Sequence, residues 1–96
     1  MPKPSFEWDE EKNFVNQKKH GVSFEEAQNA FDDPRRIMIR DLDHEKGEKR
    51  FFYLGLMERD VLTVRFSYRS KRIRIYGAGY WRQGRKRYEQ ENQIHE

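Results

Sequence analysis

Apolar positions along this chain first recur with helical spacing and then alternate, so the front of the molecule reads as helix and the rest as sheet. Phe6-Glu7-Trp8 alternates as a short strand, and Asp9 is a good N-cap for a helix over residues 10–19, on which Phe14 and Lys18 share a face. The stretch Lys19-His20-Gly21-Val22-Ser23-Phe24-Glu25-Glu26-Ala27 closes that helix and opens the next. Gly21 supplies the left-handed residue that ends a helix, and His20, when protonated, complements the negative end of its dipole. Ser23 and Glu26 stand at capping-box spacing, with Val22 and Ala27 placed as the apolar staple. This second helix runs through Ala30 and Phe31 to Asp33-Pro34, where proline forces its predecessor out of helical geometry.

Alternation then takes over. Residues 36–41 set Ile37 and Ile39 against Met38 and Arg40, and the polar stretch 43–48 reads as a loop. Strands over 50–57, 61–69 and 72–78 follow, joined by connections too short for anything but antiparallel hairpins. With a three-residue loop at 58–60, Phe52, Leu54 and Leu56 oppose Phe66, Val64 and Leu62. With a two-residue turn at Ser70-Lys71, Tyr68 opposes Ile73 and Phe66 opposes Ile75. That register gives one apolar face beneath the helices. The other face carries Phe51, Tyr53, Arg65, Ser67, Arg69, Arg72, Arg74 and Tyr76. Residues 80–92 read as a terminal helix with Trp81 and Tyr88 on one side and Arg82, Arg85 and Lys86 over the rest, weakened by Gly84. The expected fold is α+β, with two N-terminal helices packed on a twisted antiparallel sheet and a C-terminal helix, in a single domain over 1–96.

Composition alters this picture little. Apolar content of 34% and charge of 39% would suit disorder, but 14 aromatic residues supply bulky core material. The absence of cysteine removes disulfides and thiolate metal sites, and no stretch approaches the roughly 20 apolar residues that span a bilayer. No leading apolar run resembles a signal peptide, so the expectation is a cytoplasmic protein without a membrane partner.

Charge changes the picture more. Residues 1–60 hold 11 basic and 14 acidic side chains, whereas residues 61–96 hold 9 basic and 3 acidic. Between Arg65 and Arg87 there are nine Lys or Arg and no carboxylate. Such a cluster is the electrostatic footprint of nucleic-acid binding, or else a solvated surface facing an acidic protein.

Several runs together carry a family resemblance: Phe6-Glu7-Trp8-Asp9, Lys12-Asn13, the 19–27 stretch, Phe31-Asp32-Asp33-Pro34, Gly47-Glu48-Lys49-Arg50, Leu62-Thr63-Val64, Arg69 and Arg72-Ile73-Arg74-Ile75. Over residues 6–91 the chain resembles the BrnT-type toxins of bacterial type II toxin-antitoxin modules. The resemblance implies a RelE-like fold, a ribonuclease activity that inhibits translation, and a ribbon-helix-helix (BrnA-like) antitoxin that also binds operator DNA. Family members often continue Arg-Ile-Ile-Ser-Ala-Arg-Arg where this chain has Arg74-Ile75-Tyr76-Gly77-Ala78-Gly79-Tyr80, so a Ser becomes Gly77 and an Arg becomes Gly79.

Metal-free RNA cleavage needs a base for the 2′-hydroxyl, cations for the phosphorane and an acid for the leaving oxygen, and it needs no cofactor. Arg69 and Arg74 are candidate phosphorane partners, or pair with carboxylates. Tyr76 and Tyr53 stack bases or sit as half-buried strand tyrosines, with Tyr76 also able to exchange a proton. His20 is either a proton-transfer group or only a helix cap, and Lys19 beside it is matched in the family. Glu48 is either the base or one half of a surface ion pair with Arg50 nearby. Arg50, Arg65, Ser67, Arg72, Arg82 and Arg85 complete the candidate RNA surface, while His44 and His95 read as plain surface residues. No His or carboxylate set repeats at metal-ligand spacing. The rival to a ribonuclease is a catalytically silent module of the same fold that binds RNA or an antitoxin.

Overall fold

A computed structural model describes residues 5–93. The elements run β1 (Ser5–Trp8), α1 (Glu10–His20), α2 (Phe24–Ala27), β2 (Ile37–Arg40), β3 (Arg50–Met57), β4 (Asp60–Arg69), β5 (Arg72–Gly79) and α3 (Arg82–Glu91), an α+β arrangement. His95 lies outside the described residues. The sheet order is β1-β5-β4-β3-β2. All pairs are antiparallel except β1 with β5, so the sheet is mixed and not the all-antiparallel one expected. The parallel pairing arises because the chain leaves β1 into α1 and returns to the same edge only with β5, a crossover that no hairpin could make.

The helix signals act as read. Asp9 accepts hydrogen bonds from the N–H groups of Glu11 and Lys12, and Gly21 closes α1 at φ 71°. Ser23 and Glu26 form the reciprocal capping box, with Val22 and Ala27 buried beside it. The second helix is shorter than expected. Only one turn is α-helical, and residues Gln28–Asp32 tighten into a 3-10 helix before Pro34.

Two buried asparagines fasten α1. Asn13 accepts from Phe24 N at 2.8 Å and donates to Glu25 at 2.7 Å. Asn16 donates to the carbonyls of Val22 and Ala78, both at 2.9 Å, and accepts from Ala78 N at 3.2 Å. The helix therefore presents amides to the sheet and leaves Phe14 and Val15 exposed, with the Lys18 ammonium 4.6 Å from the Phe14 ring centroid. Buried amides that find every partner fix α1 over the end of β5 in one position.

The β4–β5 register matches the expectation up to Phe66 opposite Ile75. The β3–β4 register does not. Met57 pairs with Asp60, so the turn has two residues, Glu58 and Arg59, with Glu58 at φ 56°. That one-residue shift turns β3 over: Phe51, Tyr53 and Met57 face the helices, and Phe52, Leu54 and Leu56 face away. Packing explains the choice. A Cβ at position 55 would stand 2.5 Å from the Ala30 carbonyl oxygen, so the 3-10 turn can press onto β3 only where glycine faces it, and Gly55 shares its face with Tyr53.

The main core accordingly gathers Val22, Phe24, Ala27, Ala30, Tyr53, Leu62, Val64, Phe66, Ile73, Ile75 and Ala78. Of the residues expected beneath the helices, Phe52 is only half-buried and Leu56 is exposed. Leu54 is buried on the opposite face, in a second small cluster with Val61 and Tyr88 under α3. Gly84 has a packing reason. A Cβ there would lie 2.1 Å from Thr63 Oγ1 and 3.1 Å from Leu54, so glycine lets α3 sit directly on the sheet. A clasp holds the far end of α3, where the Tyr88 hydroxyl donates to Asp33 Oδ2 at 2.6 Å and Asn92 donates to the Arg35 carbonyl.

Candidate RNA-cleavage site

The face opposite the main core is divided. α3 covers one end of it; the other end is open and carries Arg50, Arg65, Arg69, Arg72, Arg74 and Tyr76. Tyr53 and Phe51 are absent from it, contrary to expectation. Tyr53 is 1% exposed, its ring stacked on Phe31 at 4.0 Å, and burial pushes its hydroxyl pKa well up, so it is withdrawn from the nucleic-acid surface. Ser67 lies on this face but is buried at its floor.

The arginines fall into two groups. At the open end, Arg69 donates from Nε and Nη2 to Glu48 at 3.0 and 2.8 Å, and Arg74 reaches Glu7 at 2.9 Å with Arg72 4.0 Å from the same carboxylate. The hydrogen bond from Arg69 holds the Glu48 pKa below the ordinary value, against the effect of burial. Glu48 is thus a charged clamp on Arg69, with the Arg50 charge also acting on it. Further in, Arg50 and Arg65 flank Tyr76, with their guanidinium carbons 4.9 and 5.2 Å from the ring centroid.

Tyr76 owes its place to a bulge. β5 pairs Ile75 with Phe66 and then Gly77 with Arg65, leaving Tyr76 as the extra residue. An inserted residue of this kind re-aims a side chain, and here it swings Tyr76 under Arg65. Burial raises the Tyr76 hydroxyl pKa while the Arg65 and Arg50 charges pull it back, with a net upward shift. Tyr76 is therefore a neutral phenol near pH 7, a donor and not a base. The Tyr76 hydroxyl and the Nε atoms of Arg50 and Arg65 are buried without a hydrogen bond of good geometry, the Arg65 side chain approaching the hydroxyl closely enough to lower its pKa. Leaving such a group unpaired costs about 1–3 kcal/mol, which a bound oxygen atom recovers.

Lys19 and His20 reach this spot from the end of α1. With Arg65, Tyr76, Gly77 and Trp81 they line one open cleft of about 420 Å³, and the His20 ring meets Trp81 edge to face at 5.2 Å. The two glycines that depart from the family pattern differ in effect. A Cβ at Gly77 would make ordinary contact with Arg65 at 3.4 Å, whereas one at Gly79 would collide with the Trp81 ring at 2.7 Å. Trp81 therefore fills the space that a side chain at 79 would take.

Arg82 and Arg85 lie apart, exposed on the solvent side of α3, where Arg85 is 3.8 Å from both Asp60 and Glu89. His44, read as a plain surface residue, has more structure around it. Its Nδ1 is 3.0 Å from both oxygens of Asp41, a buried carboxylate whose backbone N–H donates to Arg50 O. The sequence signal was the i, i+3 spacing of Asp41 and His44 next to a strand end. Among the described residues no three His, Asp or Glu side chains converge, and no helix is long and apolar enough to cross a membrane.

This geometry joins paired cations, one imidazole and a buried phenol around one cleft at the sheet face. A family model described as the ribonuclease toxin, BrnT, of type II toxin-antitoxin systems matches residues 8–84. The chain belongs to the BrnT family. A comparison with curated proteins finds no match. Membership makes this BrnT protein a ribonuclease toxin by family, with RNA as substrate class and an antitoxin as partner. The matched span holds β2 to β5, α1, α2 and every residue of the cleft, takes in only Trp8 of β1, and stops at Gly84 inside α3.

Proposed function

We propose that this BrnT protein is a metal-independent endoribonuclease of RelE-like fold that arrests translation in the cytoplasm, and that the cleft between α1 and the cationic sheet face is where it cuts. The observation that carries the reading is the meeting of Lys19, His20, Arg65 and Tyr76 around one open cleft, with the Tyr76 hydroxyl and Arg65 Nε left unpaired. A phosphate seated there accepts from both. Arg65 and Arg50 stabilise the dianionic phosphorane, His20 takes the proton of the 2′-hydroxyl and returns it to the leaving 5′-oxygen, and Tyr76 donates to a non-bridging oxygen. Lys19 adds positive charge at the rim. Arg69, Arg72 and Arg74 guide the strand from outside the centre, since each already has a carboxylate within 4.0 Å.

The test is cleavage of single-stranded RNA by purified protein in EDTA. The expected products end in a 2′,3′-cyclic phosphate, and a 2′-deoxy nucleotide at the scissile position blocks them. Cleavage that requires added divalent metal, or that persists with the deoxy substrate, defeats the mechanism.

A second reading is favoured by Gly77 and Gly79: a silent module that keeps RNA or antitoxin binding without chemistry. Salt-dependent RNA binding with no cleavage and no growth arrest would establish it. In either reading a ribbon-helix-helix antitoxin covers the cationic face, and co-expression that yields no stable complex with such a partner would refute that part.

A further inference from the structure

A second hollow adjoins the cleft. It lies between α3 and the sheet, measures about 640 Å³, and shares Trp81 with the first. Arg65 links the two, its guanidinium 5.2 Å from Tyr76 on one side and 5.9 Å from Phe52, which lines the second hollow, on the other. Its floor is apolar and aromatic, built from Phe52, Leu54 and Trp81. Beneath that floor Thr63 Oγ1 is buried against Gly84 without a hydrogen-bond partner, on a residue 5% exposed. The rim is formed by the amides of Gln83 and Gln90 and the ammonium of Lys86, and among the described residues no carboxylate lines the hollow.

A flat apolar floor, two amides that both donate and accept, and a cationic rim suit one class of ligand. From them we infer that the hollow holds an unstacked nucleobase of single-stranded RNA, the neighbour of the phosphate at Arg65. This rests on the proposed cleavage site. The ring stacks on Phe52 or Trp81, as bases do on aromatic platforms, and its polar edge meets the amides. The size fits, since pockets for small ligands run from about 300 to 1,000 Å³. Gln90 and Lys86 lie beyond residue 84, where the family match ends, so base selection is written partly in the segment of α3 outside the matched span.

Binding tests this separately from chemistry. A short oligonucleotide, 2′-O-methylated so that it resists cleavage, is titrated against the full chain by fluorescence polarisation while an abasic site is moved along it. The wild-type protein should lose about tenfold or more in affinity at one position and little elsewhere, the scale of one stacking contact. Phe52→Leu and Gln90→Ala should flatten that dependence while keeping the salt dependence of binding; Gln90 is exposed, so folding does not limit the second variant. A flat scan in the wild type, or variants that keep the wild-type profile, would overturn the inference. Cleavage of unmodified RNA is scored in parallel. A positive scan without cleavage removes the ribonuclease reading and keeps the base site, and cleavage with a flat scan does the reverse.

Discussion

Two sets of arginines share one sheet face and behave differently. Arg69, Arg72 and Arg74 sit near the open end with carboxylates against them, whereas Arg50 and Arg65 lean on Tyr76 with their Nε atoms buried and unpaired. An exposed ion pair is worth roughly 1 kcal/mol or less, so the first set forms and breaks at little cost. The second set is held by the fold in a state that lacks a hydrogen-bond partner. A phosphate at the outer set must first displace a carboxylate; at the inner set it completes what is missing. On the proposed reading, the number of cations on a face says where RNA lands, and the unsatisfied ones say where it reacts.

The sharpest way to break this comparison is to remove one member of each set. Arg65→Ala should lower RNA cleavage by about 100- to 1,000-fold, the scale of losing one preorganised transition-state donor, while Arg69→Ala should cost less than about tenfold. Both should weaken binding similarly, each shallowing the salt dependence by about 0.7 for single-stranded RNA. Equal losses of cleavage from the two substitutions would erase the distinction.

Next in size is Tyr76→Phe. It removes an unpaired buried hydroxyl, so thermal stability should stay the same or rise, while cleavage falls by about 100-fold. A variant that melts earlier and cleaves normally would show that the hydroxyl serves the fold.

Smaller still is Glu48→Gln, which frees Arg69. RNA affinity at low salt should rise by a few-fold, with cleavage of saturating substrate unchanged. The smallest effect is in acid stability. Glu48 has its folded pKa lowered from an ordinary 4.5, so its contribution is complete above about pH 4.5 and fades as pH falls through the lowered value. Urea unfolding of wild type and Glu48→Gln should differ by less than about 1 kcal/mol near pH 7 and converge toward pH 3.

What the chain reveals without coordinates follows the range of the forces involved. The caps at Asp9, Gly21 and Ser23 depend on neighbours within a few residues, and they are readable from spacing alone. Turn length between β3 and β4 is not, because either two or three residues would close that hairpin. The decision comes from Ala30 pressing on Gly55, a contact across 25 positions of chain. The site behaves the same way. Lys19, His20, Arg65 and Tyr76 were legible as candidates, but their meeting depends on the bulge at Tyr76 and on Asn16 pinning α1 to Ala78. Arg69 and Arg74 read from the sequence as the phosphorane partners and Arg65 only as part of the RNA surface, because alternation places all three on one face and cannot show that Glu48 and Glu7 reach two of them.

The clasp between Tyr88 and Asp33 gives the C-terminal helix a stability of its own. Burial opposes charge on Asp33, but hydrogen bonds from the Tyr88 hydroxyl and from the N–H groups of Leu56 and Arg35 outweigh it and hold the carboxyl pKa below its usual range. Burial and that same bond push the Tyr88 hydroxyl up to about 12. Tyr88 is also the one buried residue of α3. The helix is thus latched by the Tyr88 phenol and the Asn92 amide, while β3, β4 and β5 hold each other through long ladders. Such a unit can detach as a local foldon while the sheet stays intact, and its amides should exchange with solvent well before those of the central strands.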